Sequence, residues 1–369
     1  MEAIFAFSRV KWVIPTQTGE DSNMGKIGVG IIGLGMGKSM FGIRQIPETD
    51  LEIRGICDTD VNRLESIRTE HNVPFATIDY RELLQRDEID IVGIYTPDPL
   101  HAQHCLDALD CGKHVICTKG FVDSLNDAVR VLQKTRETGL KLMVGQTCRF
   151  RPDFMHTRRL MESGKLGNIV AAEAHYVHDM RSVLTATPWR HQMPQKTLYG
   201  GLCHPMDLII WFLDFPSAVH AIAHESGIDE RYPSGEGHFN DNWMVNLIYE
   251  DGRLGRVLGL YGLCHAPMPM LGLSVYGAAG SVVNGQAIFD DNHSSSIPVE
   301  DVVSINADEI ADIGHIGEVV RYILHFEDCL KHDKQPLINA EVGTKIIAVL
   351  DACERSAKSG KVERVQSAF

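Results

Sequence analysis

The sequence predicts an α/β protein of two domains: a doubly wound parallel sheet, then an α+β domain with a large, mostly antiparallel open sheet. Three observations predict it. An apolar run enters a glycine-rich turn in KIGVGIIGLGMGK, residues 26–38. Apolar runs then alternate with helical stretches of about 10 to 15 residues, which indicates βαβ units. Beyond residue 150 the texture changes to shorter runs of alternating character, as in half-buried antiparallel strands.

Length and composition bound the reading. A chain of 369 residues exceeds the roughly 250 to 300 at which single cores stop growing. The formal net charge of −14 argues against nonspecific nucleic-acid binding, which needs a basic surface. Nine cysteines without a C-x-x-C pair read as reduced thiols of a cytoplasmic protein. No apolar run approaches the roughly 18 residues of a membrane span, and the start lacks a signal-peptide pattern. Residues 1–23 are expected to be an arm outside the fold, disordered or a start-site artefact, because Met24 directly precedes the first strand.

In order, residues 27–32 form a strand and Gly33, Leu34, Gly35, Met36 and Gly37 the turn, followed by a short helix ending near Pro47. Glycines let the main chain approach a pyrophosphate, and the next helix offers unpaired N–H groups. The third glycine of G-x-G-x-x-G falls on Lys38, with Gly37 one residue early. A second strand, 51–57, stops at Asp58, 23 residues beyond Gly35, where a carboxylate would accept hydrogen bonds from an adenine ribose. Asp58, Thr59 or Asp60 would equally cap the following helix. Asp58 would repel a 2′-phosphate, so NAD is favoured over NADP.

Helices are expected at 61–71, 80–86, 99–111 and 124–137, and strands at 73–77, 89–97, 114–119 and 141–146. Six strands complete a Rossmann domain over residues 24–147, with ligands at the strands' carboxyl ends, where Gly33, Asp58, Thr96, Pro97, Lys119 and Gln146 lie. The second domain, 148–369, opens with a helix at 152–164. It continues with strands at 169–178, 218–224, 243–249, 254–263 and 271–276, an Asp-Gly hairpin in EDGRL, and two helices after residue 315. One face of its sheet is expected to be covered by another copy, as a homodimer or homotetramer.

Several segments together resemble the Gfo/Idh/MocA (glucose-fructose oxidoreductase and inositol dehydrogenase) family: GLGMGKS, CDTD, TPDPLHAQHCLDALDCGKHVICTKG, RFRPDF, GGLCHPMDLIIW and the C-terminal GHIGEVVRYILHFEDCL. The resemblance implies NAD(P)-dependent oxidation of a secondary hydroxyl of a sugar or cyclitol, or reduction of the ketone. It implies cofactor contacts by the glycine turn, Thr96, Pro97, His101, Lys119 and Gln146. Lys119 corresponds to the lysine of the family's E-K-P segment and His204 to the histidine of its C-terminal motif. Oxidation needs a base and a positive group for developing alkoxide charge. Lys119 supplies the charge, His204 the base, and Asp207, at i+3, shares the helix face to orient the imidazole or contact substrate. Arg149, Trp189, Arg190 and Tyr199 follow as substrate contacts.

Three departures stand out. Thr118 and Gly120 replace the glutamate and proline of E-K-P, Gly200 replaces the carboxylate four residues before the histidine, and the glycine turn is short. Tyr199, His191 or Asp207 are candidates to fill the gap. His175, His178 and Asp179 are close enough to be considered as metal ligands, but i, i+3 spacing on a strand sends the histidines to opposite faces; no metal is expected. A nucleotide-binding sensor with decayed chemistry, and a lyase or hydrolase using NAD transiently, are the competing readings.

Overall fold

The computed structural model describes residues 25–180, 183, 187, 196–225, 240–262, 266–289, 294–296 and 318–369. Six strands, β1 (Ile27–Ile32), β2 (Leu51–Cys57), β3 (Phe75–Thr77), β4 (Ile91–Ile94), β5 (His114–Thr118) and β6 (Leu142–Gly145), form a sheet in the order β3-β2-β1-β4-β5-β6. All its pairings are parallel. Strands β1 and β4 are buried throughout, as helices on both faces require. Strand order reverses at β1, which opens a crevice at its carboxyl end.

Several elements are shorter than the sequence suggests, for local reasons. Strand β3 begins only after Pro74, which has no N–H for the ladder. The stretch 99–111 splits into a 3₁₀ turn, Asp98–Leu100, and a helix, His101–Asp110. Strand β4 ends at Ile94, leaving 95–97 as a loop.

The second sheet has nine strands among the described residues. These are β7 (Ile169–Val177), β8 (Ala218–His224), β9 (Asn242–Ile248), β10 (Leu254–Leu260), β11 (Leu271–Gly277), β12 (Gly280–Val283), β13 (Gln286–Phe289), β14 (Ser294–Ser296) and β15 (Glu363–Arg364). Their order is β14-β13-β12-β11-β7-β10-β9-β8-β15, with β7 and β10 parallel and the remaining pairs antiparallel. Gly252, at φ 83, closes the β9–β10 hairpin read from EDGRL. The β12–β13 hairpin was not anticipated, although its Asn284-Gly285 turn, both at positive φ, is a strong hairpin signal.

One face of this sheet is core: Ala221, Val245, Val257 and Ala174 are buried and opposite one another along the ladder. Helix Cys203–Leu213 is buried on nearly every side. On the other face Ile222, Met244, Ile248 and Leu254 are exposed. The helices Glu318–Lys331 and Ala340–Ser359 return to the first sheet. Glu327 accepts hydrogen bonds from Thr49 and the Asp50 N–H, and Thr344 donates to the Ala128 carbonyl.

Candidate active site

The glycine turn is built by exclusion of side chains. Gly33 sits at φ 88, and a Cβ there would lie 2.6 Å from the Tyr95 carbonyl oxygen. A Cβ on Gly37 would lie 2.8 Å from Ile31 Cγ2. Gly37 therefore lets the helix close on β1, the role of the motif's third glycine, although it stands one residue early. The helix holds only Leu34–Gly37 before tightening to 3₁₀ geometry over Lys38–Gln45. Leu34 is buried, whereas Met36 is exposed at the rim.

Asp58 joins the end of β2 to that turn. Its Oδ2 accepts from the Leu34 N–H at 2.7 Å and from Arg63 Nη1 at 3.2 Å, and its Oδ1 from the Asp60 N–H at 2.8 Å. The cap of the following helix is Asp60, whose carboxylate takes the Asn62 and Arg63 N–H groups. Arg63 was missed from sequence; its signal was a cation in the first turn after the acid. Its guanidinium also reaches Asp60, at 3.3 Å.

Two features of this end fit a dinucleotide. Among the described residues a Cβ on Gly35 would meet nothing within 4 Å, so the turn presents an open, side-chain-free cradle. At the end of β6, Gln146 is buried and its Oε1 has no hydrogen-bond partner among the described residues, an acceptor suited to an amide donor of a bound group. Gly33, Gly35, Asp58 and Gln146 would hold the cofactor.

His101 does structural work between two loops. Fully buried, it places Nε2 2.7 Å from the Thr96 carbonyl oxygen and Nδ1 3.0 Å from that of Gly120. Thr96 Oγ1 lies 3.0 Å from His104 Nδ1. Pro97 caps the 3₁₀ turn.

Lys119 follows β5 and donates from Nζ to the Gly200 carbonyl at 2.8 Å. The neighbouring Gly120 is required by that approach: a Cβ there would lie 2.4 Å from the Tyr199 carbonyl oxygen. Lys119 and Gly120 thus both pack on the Tyr199–Gly200 backbone. The Tyr199 hydroxyl turns away, donating to Glu354 at 3.2 Å, and burial raises its pKa.

Asp207 pairs with a cation. Its carboxylate, fully buried, is gripped by Arg149, with Nε at 2.9 and 3.1 Å and Nη2 at 2.7 Å. Burial pushes the Asp207 carboxyl up and Arg149 opposes this. Both groups are spent on joining helix Cys203–Leu213 to the 3₁₀ turn Thr147–Phe150. His204 places Nδ1 3.3 Å from Cys148 Sγ and stacks edge-on with Tyr176; burial keeps that sulfur a thiol by raising its pKa. The i+3 spacing puts Asp207 on one helix with His204, but the cation from residue 149 takes its carboxylate. His204 is 2% exposed. Trp189, Arg190 and His191 lie outside the described residues. His175 Nε2 is 3.0 Å from the Pro269 carbonyl oxygen, and no group of three His, Cys, Asp or Glu side chains among the described residues is arranged for a metal ion.

Residues 27–146 match the family model of the Gfo/Idh/MocA oxidoreductases, NAD-binding Rossmann fold, and residues 158–366 match that family's C-terminal alpha/beta domain. The chain belongs to the Gfo/Idh/MocA oxidoreductase family. It is 35% identical over 240 residues to an uncharacterised oxidoreductase of Bacillus subtilis (strain 168), covering 62% of this chain and 65% of that protein, just under two thirds of its length. It is 23% identical over 348 residues to 1,5-anhydro-D-fructose reductase of Ensifer adhaerens, covering 92% and 98%. Levoglucosan dehydrogenase, solved in complex with NADH and levoglucosan, shares the fold at TM-score 0.79 and 19% identity, over 92% of this chain and 100% of that one. The myo-inositol 2-dehydrogenase from Lactobacillus plantarum does so at 0.74 and 21%, over 92% and 99%.

Proposed function

We propose that this chain is an NAD-dependent dehydrogenase acting on a secondary hydroxyl, or the corresponding ketone, of a sugar, cyclitol or related polyol. The observation that carries the reading is Lys119, an ammonium held by the Gly200 carbonyl at the carboxyl end of β5, on the side of the sheet where the glycine turn opens. A bound nicotinamide supplies hydride acceptance and donation. Lys119 stabilises the alkoxide that develops on the substrate oxygen. The proton acceptor is a side chain at the same edge of the sheet, and His204, its Nδ1 3.3 Å from Cys148 Sγ, is the candidate that the family resemblance implies. Gly33, Gly35, Asp58, Thr96, Pro97 and Gln146 line the cofactor side, with His101 fixing the loop that carries Thr96.

The exposed apolar row Ile222, Met244 and Ile248 supports a homodimer or homotetramer through the C-terminal sheet. The eight described cysteines, all free thiols, support a cytoplasmic location. Among the described residues no helix is long and apolar enough to cross a membrane.

Titration of NADH and NADPH by fluorescence, then a screen of sugars and cyclitols by absorbance, tests the reading. Failure to bind either nucleotide would end it. The burial of His204 favours one alternative, a nucleotide-binding sensor that turns over nothing. Substrate-dependent NADH formation that Lys119→Ala abolishes would exclude that alternative.

A further inference from the structure

Position 200 lacks the side chain that would bring a carboxylate beside Lys119, yet a carboxylate is there. Among the described residues, a Cβ built on Gly200 would have one neighbour within 4 Å, Asp98 Oδ2 at 3.0 Å. Asp98 opens the 3₁₀ turn after β4, and Lys119 follows β5. The two strands are paired neighbours, with Ile94 opposite Cys117, so both loops leave the same edge of the sheet. His101 clamps these loops together through the Thr96 and Gly120 carbonyls. The Cys203 thiol registers both charges. Burial pushes it up to about 11, Lys119 lowers it and Asp98 raises it. Among the described residues the Asp98 carboxylate makes no hydrogen bond or ion pair, and it is only half-buried. It is therefore open to a ligand and to solvent in a way that Asp207, locked on Arg149, is not.

We infer that Asp98 replaces the carboxylate missing at position 200 and takes the proton of the substrate hydroxyl beside Lys119. The inference rests on the dehydrogenase reading above. In oxidation the O–H bond breaks and its proton passes to an Asp98 oxygen. With a nicotinamide bound, the C–H electron pair would leave as hydride to it, and the carbon–oxygen bond would become double. Asp98 then releases the proton to water. On this inference Asp98, and not the 2% exposed His204, is the proton acceptor.

The test uses Asp98→Ala, Gly200→Asp and the double variant in the full chain. Three quantities are read: thermal midpoint, NADH affinity, and kcat and KM for the best polyol found. Gly200→Asp should lower Tm in the wild-type background, where the new carboxylate faces Asp98, and lower it less in the Asp98→Ala background. Asp98→Ala should lose about 100-fold in kcat, with NADH affinity within about twofold. Adding Gly200→Asp should recover about a tenth or more of the lost rate, because the carboxylate returns to the same place. Additive Tm shifts, or an Asp98→Ala enzyme with kcat within about threefold of wild type, would overturn the inference while leaving the dehydrogenase reading intact. A wild-type chain that binds no nicotinamide nucleotide ends that reading and, with it, the proton-transfer role. The Tm cycle then still decides whether Asp98 fills the space at 200.

Discussion

Lys119 crosses 81 residues of chain to donate from Nζ to the Gly200 carbonyl at 2.8 Å. The bond aims a cation without neutralising it, since a carbonyl carries no net charge. Lys119→Met should therefore lower kcat by about 100- to 1000-fold, the loss typical of a transition-state donor. Tm should stay close to wild type, because the methylene stem is kept. Steady-state kinetics with a melting curve checks this; full activity would remove Lys119 from the chemistry.

Gly120 and Tyr199 give the opposite expectation for a change toward the family's sequence. Gly120→Pro puts ring atoms where the Tyr199 carbonyl lies, 2.4 Å from the Cβ position. It should cost about 2 kcal/mol or more by overpacking, and it should move the Lys119 anchor. Urea unfolding measures the loss. A stable, more active variant would show that the contact is not required.

The Arg149–Asp207 pair is buried on both sides. Asp207→Ala strands a buried guanidinium and should destabilise by about 3 to 5 kcal/mol. Arg149→Met with Asp207→Leu should recover much of that. Equal stability of the single and double variants, by urea unfolding, would contradict a structural ion pair.

Arg63 bears on cofactor choice. Beside Asp58 at 3.2 Å its charge is largely offset, which suits a ribose diol. Asp58→Ser removes the offset, so NADH should bind about tenfold more weakly while NADPH gains relative to it. Fluorescence titration decides; equal losses for both nucleotides would remove Asp58 and Arg63 from discrimination.

His104 sets an acid limit. Burial holds its pKa down to about 4, with His101 adding to the effect. The unfolded chain then binds the proton more readily below the ordinary value of 6.5. The stabilisation is complete above that value and is lost as pH falls toward 4. It amounts to at most about 3 kcal/mol at 1.36 kcal/mol per pH unit. His104→Gln should flatten stability against pH between 6.5 and 4 in denaturant titrations; an unchanged slope would exclude His104 as its source.

Much of this was written locally. The alternation of runs announced both sheets, and the glycines with Asp58 marked one end of the parallel one, because side-chain period and backbone freedom depend only on neighbours in sequence. Boundaries slipped where single residues intervene, as at Pro74, and the Asn284-Gly285 turn was legible but not read. The partners of the site residues were less accessible. Asp207 was matched to His204 by helix spacing, whereas Arg149, 58 residues earlier, claims it.

By itself, then, the sequence determined the fold class, the position of the phosphate turn and the residue types at the strand ends. Only the tertiary structure decided that Gly37 does the third glycine's packing, that Gly120 packs on the Tyr199 carbonyl, and that Asp98 stands where residue 200 has no side chain. The reason is physical. Secondary structure follows from short-range sterics and hydrogen bonding, but which carboxylate meets which cation depends on how two loops from neighbouring strands pack against a helix some 80 residues away.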